Sequence, residues 1–136
     1  MITEHSDWKR PHSNEWYEQL FRLSKKYVYT WKSSFLNKTG EEWFDEEVLQ
    51  VIENKNVLDI GCAEGSFTKK CSEFAARTVG MDAVESYIQS AKQYANDRLT
   101  FFVANSKAGM QLIWIRLMWH LFEKDLHPAI IICQAC

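Results

Sequence analysis

The residues best placed to do chemistry lie in Val57-Leu58-Asp59-Ile60-Gly61-Cys62-Ala63-Glu64-Gly65-Ser66-Phe67, within a chain of 136 residues. Gly61, Ala63 and Gly65 remove or shrink three side chains in a short span, which lets a bound molecule approach the backbone closely. The stretch from Ser66 has a helical pattern, and a helix beginning there points N–H groups at a ligand in the turn. Asp59 stands just before the turn, where a carboxylate suits a cationic group. A second acid, Asp82, followed by Ala83, ends a later apolar run. In nucleotide-binding sheets an acid roughly 20 residues beyond the glycine fingerprint accepts from ribose hydroxyls. A helix cap for the segment starting at Val84 is the other role open to Asp82. A dinucleotide fingerprint, G-x-G-x-x-G, is incomplete because Ala63 and Ser66 occupy glycine positions.

The elements around these residues alternate. Asn56 to Ile60 reads as a buried strand. Ser66 to Ala76 reads as a helix burying Phe67, Cys71 and Phe74. Arg77 to Met81 is a second strand. Val84 to Ala95 is a helix with Tyr87, Ile88, Ala91 and Tyr94 on one face, and Leu99 to Ala104 is a third strand. Strand–helix–strand–helix–strand with short loops implies right-handed crossovers and a parallel sheet. Ahead of this, Ser13 is a candidate N-cap for a helix with Trp16, Leu20, Leu23 and Tyr27 at helical spacing. A second helix begins at Glu41-Glu42, with Trp43, Phe44, Val48, Leu49 and Ile52 as its apolar positions.

Taken together, Val57 to Phe67, then Val79-Gly80-Met81-Asp82, then Phe101-Phe102-Val103-Ala104-Asn105 resemble the first three motifs of class I S-adenosylmethionine-dependent methyltransferases. The resemblance implies an α/β, Rossmann-like three-layer fold, here its front half of three parallel strands with helices, preceded by N-terminal helices. It implies S-adenosyl-L-methionine as cofactor. The methionine moiety would lie on the loop formed by Asp59, Gly61, Cys62, Ala63 and Gly65, the ribose on Asp82 beside Ala83, and the adenine on Asn105. Asn105 stands where the family usually has Asp, and Ala63 replaces a common glycine. The resemblance also suggests that residues 1–55 form a lid, with Tyr17, Tyr27, Tyr29 and Trp31 as lining candidates. Helical core packing is the alternative for these aromatics. Residues 56–107 are then the partial cofactor-binding domain.

Residues 108–136 form an atypical tail. Met110 to Phe122 is apolar nearly all round, and a surface helix should carry a polar face. After His127-Pro128, Ala129-Ile130-Ile131-Ile132-Cys133 has the composition of a strand. The family's fourth strand normally follows an acidic residue and a Phe-Asp-apolar run, which this tail lacks. Back-translation in the adjacent frame forces Ala across Met110/Gln111, Asp across Trp114/Ile115 and Val-Ala across Met118 to His120, and permits such a motif. A frameshifted, truncated methyltransferase is therefore the expectation, with an unpaired central sheet edge. A short protein whose tail replaces the missing half is the rival.

Composition narrows the classes of partner. Charged residues are 25%, hydrophobic residues 46%, and the net charge is -2. Such a chain lacks the basic surface that nucleic acid demands, so a small-molecule methyl acceptor is expected. No targeting segment or membrane span is read, and the four cysteines fit a cytoplasmic location. Cys133-x-x-Cys136 lacks a second pair, and no metal site is expected. His5, His12, His120 and His127 are isolated, so no catalytic residue is assigned. Self-association through a sheet edge or the apolar tail is a further expectation. Two other functions compete: a non-catalytic nucleotide-binding or interaction fragment, and a nicotinamide-dependent oxidoreductase. Asp59 and the incomplete fingerprint count against the oxidoreductase.

Overall fold

The structure is a computed structural model that describes residues 13–26, 38–104 and 129–133. Its elements are α1 (Asn14–Ser24), α2 (Gly40–Val51), β1 (Asn56–Ile60), α3 (Ser66–Phe74), β2 (Arg77–Asp82), α4 (Glu85–Ala91) with a 3-10 turn at Lys92–Tyr94, β3 (Leu99–Val103) and β4 (Ala129–Cys133). The strands form one sheet in the order β3-β2-β1-β4. Every pairing is parallel.

The three strands read from the sequence are present, and a fourth joins them. The expectation that the sheet ends at β1 is corrected: Ala129–Cys133 pairs along that edge, with Leu58 opposite Ile131 and Asp59 opposite Ile132. The need for a fourth strand, which motivated the out-of-frame reading, is met by the chain as it stands. The apolar run Met110 to Phe122 lies outside the described residues.

Alternation sorts the side chains between the two faces. Val57, Thr78, Leu99 and Ile130 share one face through their registers. Against it pack Val48 and Ile52 from the end of α2, Phe67 and Cys71 of α3, and Ile132. Ile88 and Ala91 of α4 pack with Leu99 and Phe101 on the same face. Leu58, Val79 and Met81 form a separate buried cluster on the other face. Burial of this kind is worth roughly 1.5–3 kcal/mol for each large aliphatic side chain.

The helix ends follow local chemistry. Ser13 caps α1, its side chain accepting from the Trp16 N–H. Thr39 and Glu42 form a reciprocal capping box at α2, so that helix starts just ahead of the expected Glu41-Glu42. Several expected core positions are at the surface instead. Trp43 and Phe44, in the first turns of α2, are exposed, as are Leu23 of α1 and Phe74, the last residue of α3. Helical period places a side chain on a face, but only the turns lying over the sheet are buried. The helix expected to run to Ala95 stops at Ala91 and tightens into the 3-10 turn.

One close approach fixes the loop that follows β1. A Cβ on Gly80 would come within 2.6 Å of Phe101 Cδ1, and one on Gly65 within 2.8 Å of Phe101 Cε1 and 2.9 Å of Ala91 Cβ. Gly65 also has φ of 79°, in the left-handed region. Gly65→Ala should therefore lower unfolding free energy by about 2–4 kcal/mol, from strain plus overpacking. Ala63 shares the left-handed region, with φ of 46°, and is half-buried. Ala63→Gly should act oppositely, raising stability by up to about 1 kcal/mol. Denaturant titration of both variants measures the contrast. The β4 register has its own test. Ile132 is 2% exposed and Ile131 54%. Ile132→Ala should cost about 2–5 kcal/mol and Ile131→Ala under about 1; equal costs would contradict this register.

Candidate functional site

The chain runs outward from β1 through β2 to β3, and the remaining strand lies on the other side of β1. The strand order therefore reverses between β1 and β4. In open α/β sheets ligands bind outside the carboxyl ends of the strands at such a point. The glycine turn, Gly61 to Gly65, leaves β1 there and leads directly into α3.

The turn is tied to the end of β2. Gly61 N–H and Cys62 N–H both donate to the Met81 carbonyl, at 2.8 and 3.0 Å, and Gly65 N–H donates back to Cys62 O at 2.9 Å. Ala63 N–H donates to Asp82 Oδ2 at 2.9 Å. The other Asp82 oxygen accepts from Val84 N–H, also at 2.9 Å. One carboxylate thus bridges the glycine turn and the turn leading into α4. Ala104 N–H donates to the Asp82 carbonyl at 2.9 Å, which adds the end of β3 to the assembly. A carboxylate offers about four lone-pair sites, and the backbone N–H groups of Ala63, Val84 and Ala83 bear on them.

Both roles weighed for Asp82 therefore bear on its position. It caps the turn before α4 through Val84, as an acid two residues upstream does. It also stands at the carboxyl end of β2, beside the glycine turn. Burial raises its carboxyl pKa from the ordinary 3.8. The backbone N–H groups of Val84, Ala63 and Ala83 act in the opposite direction, and Glu64 adds a smaller upward push.

Asp59 lies beneath the turn. It is fully buried, and its Oδ2 accepts a 2.7 Å hydrogen bond from Thr68 Oγ1 of α3. Cys62 likewise turns its side chain inward, among Ile88, Ala91, Leu99 and Phe101, so only its backbone borders the turn. Its thiol is pushed far above the usual value, first by burial and then by the charges of Asp59 and Asp82. Both carboxyl side chains border the turn, Asp59 from beneath and Asp82 from the end of β2. Cys71, on α3, is pushed up to about 12 by burial, with Asp59 adding to the shift. Asn105 lies outside the described residues, as do Tyr27, Tyr29 and Trp31.

Sequence reasoning missed two contacts of the N-terminal helix. Glu18 of α1 accepts from Ser86 N–H at 3.3 Å and also from the Ser86 hydroxyl. Phe21 of α1 meets Tyr87 edge to face, with centroids 5.1 Å apart. These contacts seat α1 on α4, just beyond the Asp82 turn. Glu18 and Phe21 lie on the side of α1 away from the Trp16, Leu20 and Leu23 face that the apolar spacing marked, and nothing local identifies α4 as their partner. Among the described residues no helix is long and apolar enough to cross a membrane, and no cluster of His, Cys, Asp or Glu could hold a metal ion.

A search of curated proteins found no match. Solved structures match over part of their length. The PRMT1 enzyme–prozyme complex of Trypanosoma brucei with AdoHcy is 25% identical over 52% of this chain and 24% of its own, with a TM-score of 0.44. A SAM-dependent methyltransferase of Thiobacillus denitrificans in complex with S-adenosyl-L-homocysteine is 19% identical over 50% of this chain and 30% of its own, at 0.41. The magnesium protoporphyrin IX methyltransferase of Synechocystis with bound SAH is 18% identical over 65% and 46%, at 0.44. This chain therefore spans less than half the length of each. The family model for the methyltransferase domain matches residues 58–130, from β1 through the glycine turn and β3 into β4. That match covers more than half of the chain, which belongs to the methyltransferase domain family.

Proposed function

We propose that this domain binds S-adenosyl-L-methionine at the β1–α3 turn and serves methyl transfer to an acceptor. The observation that carries the reading is the pair of carboxyl groups at the turn: Asp59 is buried beneath it, and Asp82 accepts from its Ala63 N–H at 2.9 Å. A pyrophosphate placed there would meet carboxylates of its own sign. A sulfonium and an ammonium group would meet the opposite sign. The family match supports the same cofactor. In this arrangement Gly61, Ala63 and Gly65 let the methionine moiety approach the backbone, and Asp82 accepts from the ribose hydroxyls beside Ala83. Asn105 is the proposed adenine contact.

Methyl transfer from a sulfonium is mainly a matter of positioning, because the leaving group is already activated. The reading therefore requires no general base, and none is assigned. A small molecule is the proposed acceptor, since a net charge of -2 offers no pull toward nucleic acid. The proposed location is cytoplasmic. Self-association would use β4, which stands at the edge of the described sheet.

Calorimetry should detect binding of S-adenosylmethionine and of its demethylated product, and none of NAD. Binding of NAD alone would overturn the assignment. Asp82→Asn keeps the shape but loses one acceptor and the charge, and should weaken S-adenosylmethionine binding on the order of tenfold. The pH dependence has a definite sign. A raised carboxyl pKa means that the folded state holds the Asp82 proton more tightly than the unfolded chain does. Its contribution to stability is full below 3.8 and is lost as pH rises through the folded value. Hydroxyl donors favour the ionised form, so cofactor affinity should fall as pH drops through that same raised value. Asp82→Asn should flatten this dependence; an equally steep profile in the variant would remove Asp82 from the site.

A further inference from the structure

Helix α4 begins without a side-chain cap of its own. Its N-cap residue is Val84, which has no side-chain acceptor, so the first N–H groups of the helix need acceptors from elsewhere. Val84 N–H itself is taken by Asp82 Oδ1 at 2.9 Å. Two residues on, Ser86 N–H donates to Glu18 Oε1 at 3.3 Å, and the Ser86 hydroxyl donates to the other oxygen of the same carboxylate. Glu18 belongs to α1 and is half-buried. It therefore caps α4 from another helix, with the sign of charge that a helix N-terminus favours. Phe21, about one turn further along α1, meets Tyr87 edge to face, and Tyr87 is almost fully buried. Asp82 thus holds Val84, Glu18 holds Ser86, and only Glu85 lies between. The second oxygen of Asp82 accepts from Ala63 N–H. Hydrogen bonds at neighbouring residues run in this way from α1 to the glycine turn.

We propose that Glu18 is a positioning residue for the cofactor pocket: by capping α4 from α1 it fixes the turn from Asp82 to Val84, and with it the direction of the Asp82 carboxylate. The proposal rests on the cofactor reading above. A helix end without a cap frays, and Val84 would follow it and carry Asp82 along. A bond to an ionised acceptor is stronger than one between neutral groups, and here it acts on the second residue of the helix, next to the turn. The coupling is reciprocal: a ligand that holds Asp82 in place also steadies the surface on which α1 sits.

The test joins amide hydrogen exchange of the free chain with calorimetry of S-adenosylmethionine binding. Glu18→Ala should speed exchange at Ser86, at Val84 and at Ala63. Faster exchange at Ser86 alone would make Glu18 a local cap without reach to the pocket, and would overturn the proposal; so would unchanged exchange at all three. Glu18→Gln keeps an acceptor for Ser86 N–H and should fall between the alanine variant and the unaltered chain. Glu18→Ala should also weaken S-adenosylmethionine binding on the order of fivefold. In the Asp82→Asn background the same substitution should cost far less, because Glu18 acts through Asp82. An equal loss in both backgrounds, or no loss in either, would contradict the positioning role. The three buried clusters include no residue of α1, so the core survives the change. Should Glu18→Ala nevertheless fail to fold, Phe21→Leu loosens the same seat and carries the same comparisons. Failure of the unaltered chain to bind S-adenosylmethionine instead sinks the cofactor reading, and the exchange at Val84 and Ala63 still decides whether Glu18 holds the turn.

Discussion

The Phe101 ring occupies the space that side chains on Gly65 and Gly80 would need, and the rest of the site depends on that contact. It joins β3, β2 and the start of α3 in one layer. Because Gly65 sits against the ring, α3 begins close to the sheet and the turn before it is compressed. Because Gly80 is bare, Phe101 can lie flat enough to also meet the α4 cluster of Ile88 and Ala91. The two glycines thus serve packing before they serve any ligand. Their smallness sets the height of the turn above the strands, which determines where its backbone can meet a bound molecule.

Two acids then give that turn its electrostatic character, and their surroundings divide the work. Asp82 is half-buried and bonded to backbone N–H groups on either side of it. Both of those donors belong to turns, so the carboxylate fixes backbone geometry while its remaining lone pairs stay compatible with hydroxyl donors. Asp59 is fully enclosed and bonded to a side chain of α3. Its effect on anything above the turn is through space, as its effect on Cys62 already is. Asp59 is thus set beneath the turn and tied to α3, where Asp82 makes direct contacts with the turn itself.

The pattern of the central elements was legible because each was announced locally. Asn56–Ile60 carries Val57, Leu58 and Ile60 across its two faces, and the glycine turn follows at once. Tyr87, Ile88 and Ala91 repeat at helical spacing and are all buried. What was illegible depended on distant partners. Phe74 follows the same apolar spacing as Phe67 and Cys71, yet the next residue, Ala75, already turns extended, leaving Phe74 past the edge of the layer. Trp43 and Phe44 belong to an amphipathic pattern whose far end, Val48 and Ile52, alone reaches the sheet. The Glu18–Ser86 contact links residues far apart in sequence, and no periodicity foretells it. At the site, the backbone bonds to Asp82 could be inferred from its place at a strand end. The Thr68 hydroxyl could not, since a threonine at that helical position reads as a filler.

The composition of Ala129–Cys133 marked a strand, but not its partner, and the structure pairs it with β1. A fourth strand was sought by its usual polar entry, and Ala129–Cys133 has none. Yet what a strand beside β1 must supply is β-branched side chains on both faces and an uninterrupted backbone ladder. Ile130, Ile131 and Ile132 meet both needs, and the register runs residue for residue along β1. Ile132 enters the cluster under α2 and α3, directly opposite Asp59. The strand that completes the crevice therefore also walls the buried acid on its second side. Hydrophobic burial beside β1 and the setting of the turn are in this way coupled: the aliphatic strand that stabilises the sheet also keeps water from one flank of Asp59.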